Sequence, residues 1–395
     1  MARAVDRIFP RMNAITSREI LTTPETQRLV LAGAPVAIGI SGGKDSTALA
    51  ISLNAYLDQV GHPREKRVLI HSHLGGIEWQ HSLPWCEKLA AFLDLPLLVV
   101  SRPSGGLIER WESRWAANLD RYLNLECLKL ILPWSTASMR FCTSELKTDI
   151  ICRALRKRFP NESILSASGI RSEESSSRRK APVVKPQAKL SRVRDNIQGW
   201  DWAPIKEFTL QDVHDVHAES GFPLHPAYTE FGASRVSCAL CIFSSLDDQF
   251  AALNDPHNHE TYARLCALEL ASTFSFQGTR WLCDLNPALR ESLLPGSSDR
   301  LARAKELSAQ RVALEATLPK ELCFSAGTTW TPRPITLAEA TLIHGVRAAI
   351  MGGLGVSRGD ETPDSIQAML NARVFAGAPF DDSDLVQDSL QLAAA

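Results

Sequence analysis

With 395 residues, 45% hydrophobic and 22% charged, the chain is long enough for two domains, or for one large domain with an extension. A formal net charge of -1 advertises neither nucleic acid nor membrane, so any basic patch must be local. Nine cysteines, an odd number in a long chain, argue for free, catalytic or metal-bound thiols over a disulfide framework. The opening Met1-Ala-Arg-Ala-Val-Asp-Arg has no apolar signal core, and no apolar run approaches the ~18 residues of a membrane span, so a cytoplasmic location is expected.

Residues 1–34 read as a helical lead-in, with Thr23-Pro24-Glu25 as a helix start. Val36 to Ile40 is a short apolar run bounded by Pro35 and glycines, which predicts a buried strand. Ser41-Gly42-Gly43-Lys44-Asp45-Ser46-Thr47 follows, and a helix is expected to open near Asp45 and run to about Leu57. Gly42 and Gly43 let backbone N–H groups approach an anion closely. The helix N-terminus adds a partial positive charge and Lys44 a full one. This is a phosphate cradle, but not the Walker type, because Gly43-Lys44 is followed by Asp45 and not by Ser or Thr. It is not the dinucleotide type either, because Gly39, Gly42 and Gly43 are wrongly spaced. The order Ser-Gly-Gly-x-Asp-Ser resembles the PP-loop of ATP pyrophosphatases. That resemblance implies a loop that grips the β- and γ-phosphates of ATP while a substrate oxygen attacks the α-phosphate. The alternative is an ordinary glycine-rich turn.

Further strands are predicted at 67–71, 97–100, 164–168 and 200–205, with helices at 77–93 and 106–122 between them. Such alternation argues a parallel sheet covered on both faces, with ligands beyond the carboxyl ends of its strands. Arg140 to Lys147 is expected to open another helix, with Cys142 thiolate-prone or metal-ligating at its N-terminus and Lys147 placed for a phosphate. Gly169-Ile-Arg171-Ser-Glu-Glu-Ser-Ser-Ser-Arg178 follows the fourth strand. Gly169 suits a sharp turn, and Arg171 and Arg178 can pair with phosphate or sulfonate in forked geometry. The stretch 178–194 holds seven basic residues and no acidic one, has no helical or strand period, and reads as a mobile arm able to track a nucleic-acid backbone. A solvated loop is the plainer reading of it.

His225-Pro226-Ala227-Tyr228 leads to Gly232 and on to Cys238-Ala-Leu-Cys241. A Cys-x-x-Cys hook is a metal or redox signal, yet two cysteines do not close a tetrahedral site. Cys142 is the best third ligand, and a fourth would be Cys266, Cys283, a non-cysteine group or nothing. Cys86, Cys127, Cys152 and Cys323 read as core. The region 246–395 reads as mostly helical, with loops at Gly296-Ser-Ser and Gly352-Gly-Leu-Gly-Val356, and the last ~15 residues as disordered.

Taken together, these motifs are similar to the phosphoadenosine phosphosulfate reductase-like branch of the PP-loop superfamily. The resemblance spans about residues 36–245 and implies an α/β, HUP-type doubly wound parallel sheet. The expected division is therefore a lead-in at 1–34, a PP-loop domain at 35–245 and a mostly helical region at 246–395. Sulfonucleotide reductases of the branch carry a C-terminal Glu-Cys-Gly-x-His type segment, which Glu321-Leu-Cys-Phe-Ser does not match, and adjacent cysteines where this chain has Cys142-Thr143.

The Gly-x-x-Arg-x-x-Cys-x-x-Cys run is instead similar to that of DNA phosphorothioation ATP pyrophosphatases of the DndC/SspD type. By that resemblance Mg²⁺-bound ATP would sit on Ser41, Gly42, Gly43, Lys44, Asp45 and Ser46, with Gly169 and Arg178 completing the nucleotide site. Asp45, Lys147 and Arg171 would be the catalytic set. Cys142, Cys238 and Cys241 would hold an iron–sulfur cluster of [4Fe-4S] type, or zinc. Expected partners are DNA ahead of tRNA, a cysteine desulfurase as sulfur donor and other subunits of a modification system. Sulfonucleotide reduction, tRNA thiolation and a non-enzymatic nucleotide-sensing scaffold remain the alternatives.

Overall fold

The computed structural model describes residues 18–323, 333–359 and 361–376. The expected disordered end of the chain lies outside them. The chain divides into two compact units, one within 1–107 and 142–258, the other within 108–141 and 259–395. This is a different partition from the linear one expected at 245/246, because residues 108–141 group with the later helices.

The first unit is a wound sheet. Helix α1 (Pro24–Leu31) opens as expected on the Thr23 cap, whose hydroxyl accepts from the Thr26 N–H. Then come β1 (Val36–Gly39), α2 (Lys44–Gln59), β2 (Arg67–His73), α3 (Ser82–Leu93) and β3 (Leu97–Ser101). Helix α4 (Leu107–Leu123) follows, and after it α5, a single turn at Phe141–Thr143. That turn runs through a π-turn at Ser144–Thr148 into α6 (Asp149–Arg158). The unit continues with β4 (Leu165–Ala167), α7 (Ser176–Lys180), β5 (Val184–Pro186), β6 (Trp200–Trp202), α8 (Leu210–Ser220), α9 (Pro226–Thr229) and α10 (Leu246–Leu253). The strand order is β3-β2-β1-β4-β6-β5, parallel except for β5. The chain winds outward from β1 in one direction and from β4 in the other, so the crevice between β1 and β4 is the switch point where such sheets bind ligands. This is the α/β, HUP-like architecture expected. Val36, Ile38, Leu49, Ile51, Leu53, Leu165 and Trp202 form the core on which the winding rests.

Three expectations change. The arm at 178–194 is not loose. Val183 and Val184 pack on the core, and β5 pairs antiparallel with β6 in the register Val184↔Trp202 and Pro186↔Trp200. An edge strand tolerates Pro186 because one side of the strand needs no donor. Helix α3 begins at Ser82, since Leu74 to Trp79 turn inward and bury Ile77 and Trp79. Gly352 and Gly353 lie inside a helix and not in a loop.

The second unit is built from helices. It takes up α4 beyond Leu107, then α11 (His259–Ser272), α12 (Pro287–Leu293), α13 (Ser297–Glu315), α14 (Leu337–Leu354) and α15 (Pro363–Ala376). The buried Glu269 carboxylate accepts from the N–H groups of Phe276, Leu282 and Cys283 at 2.7, 2.8 and 2.8 Å, which folds the 274–283 loop around one acid. Arg347 and Glu361 form a buried pair at 2.6 Å, and Arg347 also donates to the Tyr122 carbonyl. Cys127, Cys266, Cys283 and Cys323 are buried here, as are Cys86 and Cys152 in the first unit. No helix among the described residues is long and apolar enough to cross a membrane.

Candidate functional site

The loop at 41–46 leaves β1 at the switch point and enters α2 at Lys44. Its shape is set by its own serines. The Ser46 hydroxyl donates to the Gly43 carbonyl at 2.9 Å and accepts the Ser41 N–H at 3.2 Å. Gly42 has φ +77°, the left-handed region that side chains avoid, and a Cβ there would also meet His225 Cδ2 at 3.1 Å and the Ser82 carbonyl at 3.3 Å. The loop therefore stays open because nothing but glycine fits it.

From β4 comes the second half. Gly169 passes so close to the loop that a Cβ would lie 2.9 Å from the Asp45 carbonyl oxygen. Two residues on, the buried Arg171 donates from Nε to Asp45 Oδ1 at 2.6 Å, and from Nη1 to Glu173 at 3.0 Å and to the Phe208 carbonyl. Asp45 Oδ2 lies 3.6 Å from Lys44 Nζ. The two carboxylate oxygens thus face two cations, one from each side of the crevice. Lys44 is buried. Its ammonium donates to the Ser234 carbonyl at 3.0 Å and lies 4.9 Å from the Tyr228 ring centre. Arg178 pairs with Glu174.

The Cys-x-x-Cys segment is strapped to this loop. Tyr228 Oη accepts both the Lys44 N–H and the Val236 N–H, each at 3.1 Å. Asp248 accepts the Ser234 N–H at 2.7 Å and its hydroxyl at 3.1 Å. His217 Nε2 lies 3.1 Å from the Lys44 carbonyl. Further on, Ala239 donates to the Ile77 carbonyl at 2.8 Å, and Cys238 bridges Glu78 in a short antiparallel contact.

Burial pushes the Cys238 thiol up, and its neighbours Cys241, Glu78 and Cys142 act in the same direction while Lys147 opposes them. The three cysteines and Lys147 named by the sequence therefore share one neighbourhood. They do not form a ligand set: among the described residues no group of three or more His, Cys, Asp or Glu is arranged to hold a metal ion. The Cys241 sulfur instead accepts the Phe243 N–H at 3.4 Å. Lys147 sits in the π-turn, whose Leu146 carbonyl accepts the Ser72 hydroxyl. Such wide turns are rare and tend to mark working segments.

Sequence reasoning missed Tyr228, His217, Glu78 and His225. His225 caps α9, where Pro226 occupies the first position, and that His-Pro pair was a readable helix start. The long-range roles of the other three left no local signal.

A family model described as phosphoadenosine phosphosulfate reductase domain matches residues 35–244, just over half of the chain. No curated protein sequence matches. Solved structures that it resembles include a phosphoadenylyl-sulfate reductase from Candida auris, determined as a phosphate complex. The likeness is at 13% identity and a TM-score of 0.33, over 56% of this chain and 98% of that one.

Proposed function

Because this chain belongs to the phosphoadenosine phosphosulfate reductase domain family, whose members are enzymes acting on nucleotides in sulfur metabolism, we propose that it is an ATP pyrophosphatase that activates a nucleic-acid oxygen for replacement by sulfur, as in DNA phosphorothioate modification. The observation that carries the reading is the braced Ser41–Ser46 loop at the β1/β4 switch point, with Asp45 clamped by Arg171 from the opposite side. A cradle at a helix N-terminus suits the β- and γ-phosphates of a triphosphate. The reaction needs an oxygen of the acceptor phosphate to attack the α-phosphorus. The bridging bond to the β-phosphate breaks, and pyrophosphate takes the electron pair. A sulfide-level nucleophile, HS⁻ released from the donor's persulfide by two-electron reduction with a thiol, then attacks the acceptor phosphorus, and AMP leaves with the original oxygen and its electron pair.

The Gly42 and Gly43 N–H groups and the Arg171 guanidinium stabilise charge on the departing pyrophosphate, which is electrostatic catalysis by groups already in position. Lys147 would serve the acceptor side, near the thiols. Magnesium would shield the phosphates of bound ATP. Asp45 is the sole acid of residues 41–46, and its carboxylate faces Arg171 and Lys44, so the loop offers no spare ligand and no step is routed through that metal. The three thiols likewise do not fit an iron–sulfur or zinc centre as they stand, so no step is routed through such a centre.

The acceptor reading draws on the segment 178–194. Four of its seven basic residues are paired: Arg178 with Glu174, Lys185 with Asp201, Lys189 with Asp149 and Arg192 with Asp195. Arg179, Lys180 and Arg194 stay exposed, available to a phosphate backbone. A cysteine desulfurase and other subunits of a modification system are the partners this chemistry calls for.

The test is mass spectrometry of nuclease-digested DNA and RNA from the native host, comparing wild type with an Asp45→Ala strain. A sulfur-bearing dinucleotide in DNA that vanishes in the mutant is the expected result. Loss of a tRNA thionucleoside instead would move the acceptor to RNA. No change in either pool would end the nucleic-acid reading and turn attention to sulfonucleotide reduction.

A further inference from the structure

Among the described residues, a buried ring nitrogen beside the phosphate loop is left without a partner. His225 is 1% exposed. Its Nδ1 accepts the Ala227 N–H at 3.0 Å, which places the ring proton on Nε2. That Nε2 is buried and has no hydrogen-bond partner among the described residues. Leaving a buried donor unsatisfied is costly, and native proteins seldom do so without a use for it. The ring is confined on its other sides by aromatic neighbours, Trp85 at 5.7 Å and His81 at 6.1 Å between ring centres. The Cδ2 atom, bonded to Nε2, is what a Cβ on Gly42 would strike at 3.1 Å, so this edge of the ring faces the loop at the glycine that keeps it open. Burial and the nearby His81 hold the imidazole well below its ordinary range, at about 4, so near neutral pH it is an uncharged donor of fixed tautomer.

We infer that His225 is a further ligand-binding residue of the phosphate loop, its Nε2–H donating to a terminal oxygen of the di- or triphosphate chain seated over Gly42 and Gly43. The inference rests on the phosphate-loop reading and adds a specificity element to it. A neutral donor on the wall of the loop completes the hydrogen bonding of a polyphosphate without adding charge. It strengthens the grip on the pyrophosphate half of the nucleotide and leaves the α-phosphate alone.

Two substitutions separate this from a structural role. The side-chain oxygen of Asn falls where Nδ1 stands and keeps the cap, so His225→Asn withdraws the donor from the Nε2 position and leaves its amide N–H₂ one bond short of it, near Cδ2. His225→Gln places an amide N–H near the position of Nε2 and restores the donor. Calorimetric titration of the full-length protein with inorganic pyrophosphate is expected to show affinity reduced at least about tenfold in His225→Asn, and to within about threefold of wild type in His225→Gln. In ¹⁵N-histidine-labelled wild type, the His225 Nε2–H resonance, assigned by its absence in the Asn variant, is expected to move downfield on saturation. Equal affinity in all three proteins, or an unmoved resonance at saturation, overturns the inference while sparing the loop. If wild type binds neither pyrophosphate nor ATP, the loop reading and the inference fall together.

Discussion

The phosphate loop and the cysteine hook lie in one unit, joined through Tyr228, yet they are built in opposite ways. Around the loop most polar atoms are committed. Ser46 closes it, Arg171 and Lys44 flank Asp45, and Tyr228 holds the Lys44 N–H. Around the hook the reactive groups are gathered but not joined. Cys142, Cys241 and Lys147 act on the Cys238 thiol electrostatically, while the Cys241 sulfur takes a backbone N–H. A site that stabilises a leaving group gains from donors fixed before the reaction. On the proposed reading the hook receives sulfur and must change its bonding during each cycle, which a loosely tied set of thiols allows.

The widest gap between the two regions should appear in paired variants. Asp45→Ala removes one of the two acids that face the buried Arg171 and leaves it with Glu173 alone, and losing a hydrogen bond to a charged group costs about 1.5–3 kcal/mol. Both AMP release and resistance to denaturant should fall together. Cys238→Ser touches only the other region. Its ATP affinity should stay within about twofold of wild type, because Tyr228 ties the hook segment to the loop through the Val236 N–H and not through the thiol, while sulfur incorporation is lost. If Cys238→Ser weakened ATP binding as much as Asp45→Ala does, the two regions would be one cooperative unit and the contrast would fail.

A smaller effect sharpens the loop side alone. Gly169→Ala puts a methyl group 2.9 Å from the Asp45 carbonyl and 3.2 Å from Ser46 Cα, and both are backbone atoms that cannot swing aside. Overpacking of that kind costs about 1–3 kcal/mol. Shifting a positioned site by about 1 Å can lower turnover by around a hundredfold. Steady-state AMP formation in Gly169→Ala should therefore drop far more than its unfolding midpoint. Normal turnover would show that β4 does not set the position of the loop.

Much of the loop side was legible in the sequence because its information is local. Val36 to Ile40 is a short apolar run closed by glycines, and the other parallel strands are punctuated in the same way. What stayed hidden depends on partners far along the chain. Tyr228 meets Lys44 across 184 positions, and no pattern near residue 228 announces it. The strand at Val184–Pro186 offered no alternation and contained a proline, so it read as loose chain, although Val183 and Val184 had a core to join. Gly352 and Gly353 resembled a loop, but Gly353 lies against Leu307, where a larger side chain would not fit. The cysteines were easily listed by spacing, yet spacing could not say whether they would stand as a ligand set.

The mildest expected effect concerns pH and again falls on the loop side. An ordinary histidine takes up its proton near 6.5, and His225 in the folded protein does so only at about 4. Above 6.5 both states hold it neutral and it contributes nothing to the pH dependence. As pH falls from 6.5 toward 4 the unfolded chain gains the proton first, so folding stability is progressively lost. At pH 5.5 that loss is roughly 1 kcal/mol for one group. Denaturant unfolding at pH 7 and pH 5.5 should therefore show a smaller decline in His225→Asn than in wild type, by about that amount. Saturating pyrophosphate adds a stabilisation that both proteins share, but a larger one for wild type if Nε2–H holds the ligand. Equal declines would mean that the ring is protonated in the folded state, and a charged ring at Gly42 would make the loop an ordinary cation-lined anion site.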